Sequence, residues 1–419
     1  MTLIQDNGAY IVSYGRTPIG SFIGSLSSLS AIDLGVVSLK GALEKASIPA
    51  TEVDSIFLGN VVSANLGQNP ARQVALGAGC DKNRVVGTNV NKVCASGAKA
   101  TMLAAMEIHA GISDVVAVVG TESMSNIPYF SPNMRAGSKF GNANMIDGVV
   151  VDGLMDAYNK QMMGYAAEKC GVDHSISREE QDQFAIGSYN KSIAASKSGK
   201  FDSEIIPTPL KARRGAEPKI VSKDEEILKF DSEKLKALRP AFPDTKGSGT
   251  VTAGNASSLS DGAAAMIVVS GRRLKQLYQQ AQEKSATINA FYIAGFADAE
   301  QEPVNFTTTP TIAIQKALSQ NKALGYTARS SNINDFVDYV EINEAFSVVG
   351  VANTKLLGLD ENKVNVHGGA VALGHPLGCS GARIIVSLCN ILQLNNGKRG
   401  IAAVCNGGGG ASAVIIEQV

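Results

Sequence analysis

The sequence has no excess of charge of either sign. Lys and Arg together number 38, Asp and Glu also number 38, and the formal net charge is zero. Because nucleic-acid binding needs a basic excess or a basic patch, we expect no nucleic-acid partner. No apolar run approaches the roughly 18 residues that a membrane span requires, so we also expect no membrane partner. The first residues, MTLIQDNGAY, carry no targeting pattern, which favours a cytoplasmic location.

Cysteine and histidine are scarce, and their spacing argues against the common metal sites. The chain has six cysteines and four histidines, with no CxxC pair and no zinc-type spacing. The cysteines are Cys80, Cys94, Cys170, Cys379, Cys389 and Cys405. In a reducing compartment most such thiols pack as small apolar side chains. A redox or metal protein is therefore disfavoured, and any functional cysteine has to be argued from its neighbours.

Short runs of β-branched residues alternate with helical patterns along the chain. The runs predict buried strands at 53–62, 114–123, 337–346 and 400–408. Apolar residues at helical spacing predict a helix from Ser96 to His109. Strands that alternate with helices are typical of an α/β fold whose sheets are covered on both faces.

A repeat with an offset of 284 positions relates the two ends of the chain. It lays VDSIFLGN from Val53 on VDYVEINE from Val337, and SGAK from Ser96 on SGAR from Ser380. Chance rarely keeps one register over several segments, so we predict two homologous α/β halves. The predicted parts are a first half at 1–123 plus 249–275, an inserted segment at 124–248 and a second half at 276–419.

The inserted segment differs from the two halves in composition and in its pattern of apolar residues. It has few strand-like runs, and it contains a charged stretch at 211–236. A polar lid over the regular body and an ordinary solvated surface segment both fit this composition.

Cys94 and His375 are the first candidate pair for catalysis. Cys94 is predicted at a strand-to-helix turn, two residues before Ser96, which could cap the helix. A thiol at a helix N-terminus is favoured as the thiolate. His375, between Gly374 and Pro376, has a backbone that can aim its ring. Such a pair supplies the nucleophile for acyl transfer through a thioester, whereas a buried cysteine and a structural histidine are the plainer alternatives.

Two further candidates follow predicted strands. Cys405 precedes four glycines, whose exposed amides can bind an oxyanion. A phosphate loop is a weaker interpretation, because the motif lacks the Lys-Ser/Thr of a P-loop. Asn343, in EINEAFS, can orient a water or hold an enolate oxygen, and it can equally cap the helix that follows.

These motifs resemble the thiolase family, and within it the biosynthetic acetyl-CoA acetyltransferases, most of all those of the fungal cytosol. The resemblance covers essentially the whole chain, through YIVSYGRTPIGSF, NKVCASGAKA, DGLMDAY, GTVTAGNASSLSDGAAA, NEAF, GGAVALGHPLGCSGAR and CNGGGGASA. It implies the thiolase fold, in which two duplicated α/β halves form a five-layered αβαβα body with an inserted loop domain. It also implies a homotetramer or dimer.

The resemblance implies a role for each motif residue. Cys94 would take an acetyl group from acetyl-CoA, with His375 accepting its proton. Cys405 would remove the α-proton of a second acetyl-CoA, giving acetoacetyl-CoA for the first step of the mevalonate and sterol pathway. Asn343, through a water, and His375 would hold the enolate oxygen. The amides of Cys94 and Gly407 would hold the oxygen of the tetrahedral adduct.

The resemblance also implies binding positions for coenzyme A (CoA), as substrate and product, and for the potassium ion that some members hold. No covalently bound cofactor is implied. The implied CoA-binding residues are Leu154, Met163, Tyr189, Lys229, Phe230, Asp231, Lys234 and Ser257. The implied potassium ligands, mainly through carbonyl oxygens, are Tyr189, Ala253, Gly254, Ala256 and Val371.

Two departures from the family pattern bear on the choice of substrate. Met162 replaces a histidine that lines the pantetheine channel in many members. Thr307, after Phe306, replaces a proline of the members that accept 2-methyl-branched substrates, so we expect an unbranched acetoacetyl unit. A degradative 3-ketoacyl-CoA thiolase is the nearest alternative. A non-catalytic lipid carrier on a thiolase body would lack at least one of the four catalytic side chains, which are all present.

Overall fold

The computed structural model of the protein describes residues 4–210, 217–283, 287–327 and 331–419. The first part of the charged stretch, 211–216, lies outside the described residues. The strands are β1 Ala9–Arg16, β2 Gly20–Ser21, β3 Ser55–Gly59, β4 Val86–Val90, β5 Val115–Ser123, β6 Tyr129–Phe130, β7 Ile146–Asp147, β8 Thr208–Pro209, β9 Ile220–Val221, β10 Ser260–Ser270, β11 Phe291–Glu300, β12 Tyr339–Ile342, β13 Arg399–Asn406 and β14 Gly410–Gln418. The helices are α1 Ala31–Ala46, α2 Pro70–Gly77, α3 Ser96–His109, α4 Met163–Asp173, α5 Arg178–Lys197, α6 Ser232–Lys236, α7 Gly271–Glu283, α8 Thr309–Gln320, α9 Ser347–Leu357, α10 Ala370–Leu373 and α11 Leu377–Leu394.

One mixed sheet runs through both halves of the protein. Its strand order is β12-β13-β14-β11-β1-β10-β5-β3-β4, and β2 pairs with β10. The two halves meet where β1 pairs with β11 over only two residue pairs, Tyr10 with Tyr292 and Ile11 with Phe291. On either side of this narrow joint the order is mirrored, because β10, β5 and β3 correspond to β14, β13 and β12.

The repeat predicted from the sequence is confirmed by equivalent elements in the two halves. β3 begins at Ser55 and β12 at Tyr339, whereas β5 begins at Val115 and β13 at Arg399, so both pairs keep the predicted offset. The predicted helix from Ser96 to His109 has the bounds of α3. The four predicted strands are present, and their ends differ from those of the predicted runs by up to four residues.

Alternate side chains of the strands pack against different helices, which gives five layers. Val116 and Val118 of β5 face a central core formed with α3 and α11. Val115 and Val119 of the same strand face α1 and α2 on the opposite side. In the second half, β13 and β14 likewise face α11 on one side and α8 and α9 on the other. This period of two follows from the pleat of a strand. The αβαβα body implied by the resemblance is therefore present.

Helix α11 corrects one expectation from the sequence. By length and composition it is apolar enough to cross a membrane, although no such run was expected. Most of the helix is buried inside the protein, between the two half-sheets. A helix that is covered on all sides is apolar all round, which explains its composition without a membrane.

The chain between β5 and β10 forms α4, α5, α6 and two short hairpins, and a buried ion pair ties it to the body. Arg16, at the end of β1, is fully buried. Its Nε lies 2.6 Å from Glu204 Oε1, and its Nη1 lies 2.7 Å from Asp224 Oδ1. Removing one member of such a group would leave a buried charge without a partner, so the contact fixes this segment against the first half.

Candidate active site

Cys94 lies in the turn that joins β4 to α3. Val93, just before it, has a φ of 48°, a left-handed conformation that a β-branched residue rarely adopts. The Oγ of Ser96 accepts a hydrogen bond from Lys92 N (2.9 Å) and donates one to Val93 O (2.6 Å). The predicted capping role of Ser96 is wrong, because the N-cap of α3 is Ala95. The serine hydroxyl instead shapes the turn that carries the thiol.

Cys94 is a neutral thiol in the resting site. Burial raises the pKa of the Cys94 thiol to about 12, and the hydrogen bond from the backbone N–H of Gly407 offsets only part of that rise. The prediction that the helix N-terminus would favour the thiolate is wrong, because desolvation outweighs the backbone contribution. If Cys94 is the nucleophile, it therefore needs a base that takes its proton.

His375 is held through its backbone and through one ring nitrogen. Gly374, before it, has a φ of 110°, which favours glycine, and His375 N donates to Ser258 O at 3.1 Å. His375 Nδ1 lies 2.5 Å from Ser380 Oγ, and that hydroxyl donates to Pro376 O at 3.0 Å. We assign the ring hydrogen to Nδ1, the tautomer in which Nδ1–H donates to Ser380 Oγ while that hydroxyl donates to Pro376 O. Nε2 then presents a lone pair, and it has no hydrogen-bond partner among the described residues.

The histidine is also neutral. Burial lowers the pKa of His375 to about 3, and the positive charge of Arg383 acts in the same direction. A neutral imidazole is able to accept a proton. The site therefore combines a neutral thiol with a neutral imidazole.

Cys94 and His375 line the same small cavity, of about 70 Å³. Most of the other side chains that line it are apolar, and Gly407 contributes backbone. The remaining lining residues are Met124, Gly153, Leu154, Met163, Ser257, Ser258, Leu259, Phe306, Ala345, Phe346 and Leu377. An enclosure of this size accepts a short acyl group, and its apolar walls strengthen every electrostatic interaction inside it.

Asn343 and Cys405 lie at the ends of neighbouring strands. β12 and β13 are parallel, so their carboxyl ends meet at one edge of the sheet. Asn343 is fully buried, with its Nδ2 3.5 Å from His375 Nδ1, and it does not cap α9, whose N-cap is Phe346. Cys405 is also fully buried, and burial, together with nearby Cys94, raises its pKa. Neither side chain lines the cavity, although both pack beside residues that do.

Three polar residues of the site were missed by the sequence analysis. Ser380 bonds the ring of His375, and Arg383 bonds Asn343. Glu122, fully surrounded by protein, accepts hydrogen bonds from the backbone N–H groups of Val61 and Gly378. Ser380 and Arg383 stand in the quoted motif SGAR, but only the folded chain brings them to their partners. Burial raises the pKa of Glu122 to about 7.

The implied CoA-binding residues fall into two groups. Leu154, Met163 and Ser257 line the cavity with Cys94. Tyr189 and Phe230 lie elsewhere, with their rings stacked at 4.4 Å.

The charged members of the second group have partners within the chain. Lys229 Nζ lies 2.5 Å from Ser21 Oγ, and it also approaches Glu225 and Glu226. Asp231 caps α6 by accepting from the backbone of Lys234. The Lys234 side chain is the most exposed of these charged groups, at 85%.

The implied potassium ligands gather around one apolar cluster. Tyr189 and Val371 belong to a cluster with Leu235, and Gly254 packs against Leu235. Within the described part of the chain, no group of three or more His, Cys, Asp or Glu side chains could hold a metal. Among the described backbone hydrogen bonds outside helices and strands, none has the carbonyl oxygen of Ala253 or Gly254 as its acceptor. Carbonyl oxygens suit a hard cation, so these residues fit a potassium ion.

Comparison with known proteins identifies one family. The family models for the N-terminal and C-terminal domains of thiolase match residues 9–272 and 287–418. An acetyl-CoA acetyltransferase of Saccharomyces cerevisiae is 54% identical over 99% of this chain and 100% of its own length. A Gibberella zeae protein named "Acetyl-CoA acetyltransferase ERG10, cytosolic" is 50% identical over 98% of each chain. The crystal structure of Acat5 thiolase from Ascaris suum in complex with coenzyme A is 42% identical, with a TM-score of 0.86, over 98% of this chain and 100% of that chain. The chain therefore belongs to the thiolase family and is an acyltransferase.

Proposed function

We propose that the protein catalyses the condensation of two acetyl-CoA molecules to acetoacetyl-CoA and CoA, and the reverse thiolysis. The observation that carries this proposal is the small apolar cavity in which a neutral Cys94 thiol and the free Nε2 of His375 meet the backbone N–H of Gly407. The names of relatives at 50% identity or more support acetyl-CoA as the substrate.

In the first half-reaction, Cys94 Sγ attacks the thioester carbonyl of acetyl-CoA. His375 Nε2 accepts the thiol proton and returns it to the CoA sulfur as that group leaves. The N–H of Gly407, which bonds the resting sulfur, joins the N–H of Cys94 in binding the oxygen that becomes negative. The product is acetyl-Cys94 and free CoA.

In the second half-reaction, Cys405, as the thiolate, removes the α-proton of a second acetyl-CoA and becomes the thiol. Asn343, through a water, and His375 stabilise the enolate oxygen, and the α-carbon attacks the acetyl-Cys94 carbonyl. Cys94 leaves as a thiolate and takes up the proton that Cys405 removed, which restores the Cys405 thiolate. The Ser380 hydroxyl serves both half-reactions. It accepts a hydrogen bond from Nδ1–H when His375 acts as a base, and it can turn to donate a hydrogen bond to Nδ1 when Nε2 carries the ring hydrogen.

We assign CoA binding to the loop domain, 124–248, between a first half at 1–123 plus 249–275 and a second half at 276–419. Tyr189, Phe230 and Lys234 would contact the nucleotide end together with Lys229 and Asp231. Leu154, Met163 and Ser257 would contact the pantetheine arm beside the cavity. A potassium ion held by Tyr189, Ala253, Gly254, Ala256 and Val371 would brace the loop domain through its charge.

We further propose a cytoplasmic homotetramer at the first step of the mevalonate and sterol pathway. The relative whose name includes the word cytosolic supports the location. Because thiolysis is the downhill direction of this chemistry, net condensation requires that a following step remove the product.

Substrate preference tests the proposed function directly. We expect kcat/KM for thiolysis of acetoacetyl-CoA to exceed that for a 3-ketohexadecanoyl-CoA by at least about 100-fold, since a cavity of about 70 Å³ beside Cys94 offers little room for a long acyl chain. Initial rates with both substrates and CoA, with and without KCl, give the comparison. A preference for the long substrate would identify a degradative 3-ketoacyl-CoA thiolase instead.

Ser380→Ala tests how His375 is held. The loss of the hydroxyl leaves Nδ1 without its 2.5 Å partner, so we expect kcat for thiolysis to fall about 10-fold. Ser387→Ala is the matched control, because Ser387 is a buried serine of the same helix whose hydroxyl has no described hydrogen bond. Equal rates for the two variants would contradict the assigned role.

A further inference from the structure

We propose that Arg383 is a positioning residue that orients the amide of Asn343 for the enolate. This inference rests on the proposed function, in which Asn343 serves the second half-reaction. Arg383 lies in the middle of α11, only 1% exposed, and its Nη2 donates to Asn343 Oδ1 at 3.3 Å. It does not line the cavity, so it acts on substrate only through its neighbour.

The contact determines which way the amide faces. A guanidinium has five N–H donors and no acceptor, so it can bond only the oxygen of an amide. Asn343 Oδ1 is therefore turned toward Arg383, and Nδ2 is turned toward the ring of His375, at 3.5 Å. Nδ2 is the atom that must donate to the water beside the enolate. Without Arg383 the amide loses the bond that distinguishes its two ends.

The charge of Arg383 also acts on that amide. A charged donor on the oxygen polarises the amide and strengthens the hydrogen bonds that its N–H groups make. The enolate gains negative charge only as the α-proton leaves, so this effect is larger in the transition state than in the bound substrate. The residue should therefore change kcat more than KM.

The surroundings of Arg383 favour this role over a purely structural one. The nearest carboxylate oxygen, Glu341 Oε2, lies 3.7 Å from Nη1, and Nη1 has no hydrogen-bond partner among the described residues. Burial raises the pKa of Glu341 to about 8, although Arg383 opposes the rise, so the carboxyl does not fully neutralise the cation near pH 7. A poorly paired buried cation destabilises a fold relative to an apolar residue. Its field is directed at Asn343 and at His375, whose pKa it lowers.

The test compares acetyl exchange, which reports on the first half-reaction alone, with thiolysis, which needs both half-reactions, in the variant Arg383→Met. We expect kcat for thiolysis of acetoacetyl-CoA to fall about 10- to 100-fold, as for the loss of a hydrogen bond to a charged group. Among side chains, exchange of acetyl groups between acetyl-CoA and labelled CoA needs only Cys94 and His375. Burial rather than Arg383 is the main cause of the low His375 pKa, so exchange should stay within about 3-fold of wild type. Arg383→Lys keeps the positive charge and an N–H donor for Asn343 Oδ1, so its kcat for thiolysis should lie between those of Arg383→Met and wild type.

A double-mutant cycle with Asn343→Ala shows whether the effect passes through Asn343. If it does, adding Arg383→Met to Asn343→Ala lowers kcat by less than about 2-fold more. Arg399→Met is the control for the loss of a partly buried arginine ion pair, since Arg399 pairs with Glu417 at the far end of β13. Arg383→Met/Glu341→Gln removes both buried charges and supplies a folded variant if the single one is unstable.

Two results would overturn the inference. One is an equal loss in the rates of acetyl exchange and thiolysis in Arg383→Met. The other is a double variant whose fold-loss in kcat equals the product of the losses in the two single variants. Wild-type protein that fails to cleave acetoacetyl-CoA would reject the proposed function itself. Active wild type with an unaffected Arg383→Met rejects only the role of Arg383.

Discussion

Cys94→Ala is expected to abolish acetylation of the protein and to lower kcat for thiolysis of acetoacetyl-CoA by at least about 10⁴-fold. The reason is that Cys94 carries the only thiol among the described side chains that line the cavity. Ser257, one of two serines that line the cavity, already donates its hydroxyl hydrogen to Ala345 O at 2.8 Å. Peptide mass spectrometry after incubation with acetyl-CoA locates the acetyl group, and a coupled assay gives kcat.

Cys379→Ala is the matched control for this experiment. Cys379 is fully buried in α11, and burial raises its pKa to about 12, the same value as for Cys94. Its position in the central core gives it no access to the cavity, so we expect a stability cost of about 1 kcal/mol and an unchanged acetyl adduct. An acetyl group that stays on Cys94→Ala protein would reject the nucleophile assignment.

The neutral state of the Cys94 and His375 pair has a mechanistic consequence. With the thiol pKa raised and the imidazole pKa lowered, the proton stays on sulfur until substrate arrives. In the proposed mechanism, proton transfer therefore accompanies attack on the thioester, as the N–H of Gly407 shifts from the sulfur to the developing oxyanion.

The features of the fold that could be predicted from the sequence are those that depend on local residue patterns or on the internal repeat. The bounds of α3 follow from apolar spacing between Ser96 and His109, and the two halves follow from one constant offset. Gly374 and the glycines after Cys405 mark turns that require positive φ, as found at Gly374, Gly408 and Gly409. These features depend on neighbours in the chain, which a sequence displays.

Other features arise only when distant segments meet. The thiolate expected at Cys94 is suppressed by burial under residues from both halves, which no local motif reveals. Arg383 and Asn343 are 40 positions apart, and their contact depends on the packing of α11 against β12. Lys229, which is predicted to contact CoA, approaches Ser21 of β2, 208 positions away in the chain, and the sequence could not indicate this partner.

Cys405→Ala is expected to leave acetylation of Cys94 intact while lowering kcat for condensation and thiolysis by about 10³-fold, within the range of general acid–base catalysis. Burial and the neighbouring Cys94 raise the pKa of the Cys405 thiol, so its thiolate is a strong base. A strong base suits a weakly acidic α-proton, and in thiolysis the same thiol protonates the departing carbon. Mass spectrometry of the acetyl-enzyme and exchange of labelled CoA measure the first half-reaction. Steady-state thiolysis measures both half-reactions together.

Cys170→Ala is the matched control, because Cys170 is a buried cysteine of the same core cluster as Cys405, on α4 rather than at the strand end. It should retain both half-reactions, which excludes a general effect of emptying a thiol-sized space in that core. If Cys405→Ala condensed acetyl-CoA at the wild-type rate, the proton would have to leave through another group, and His375 would be the remaining candidate that lines the cavity. Loss of acetyl-enzyme in Cys405→Ala would instead show that Cys405 maintains the shape of the site around Cys94. Its fully buried side chain lies one residue before the end of β13, next to the turn that contains Gly407.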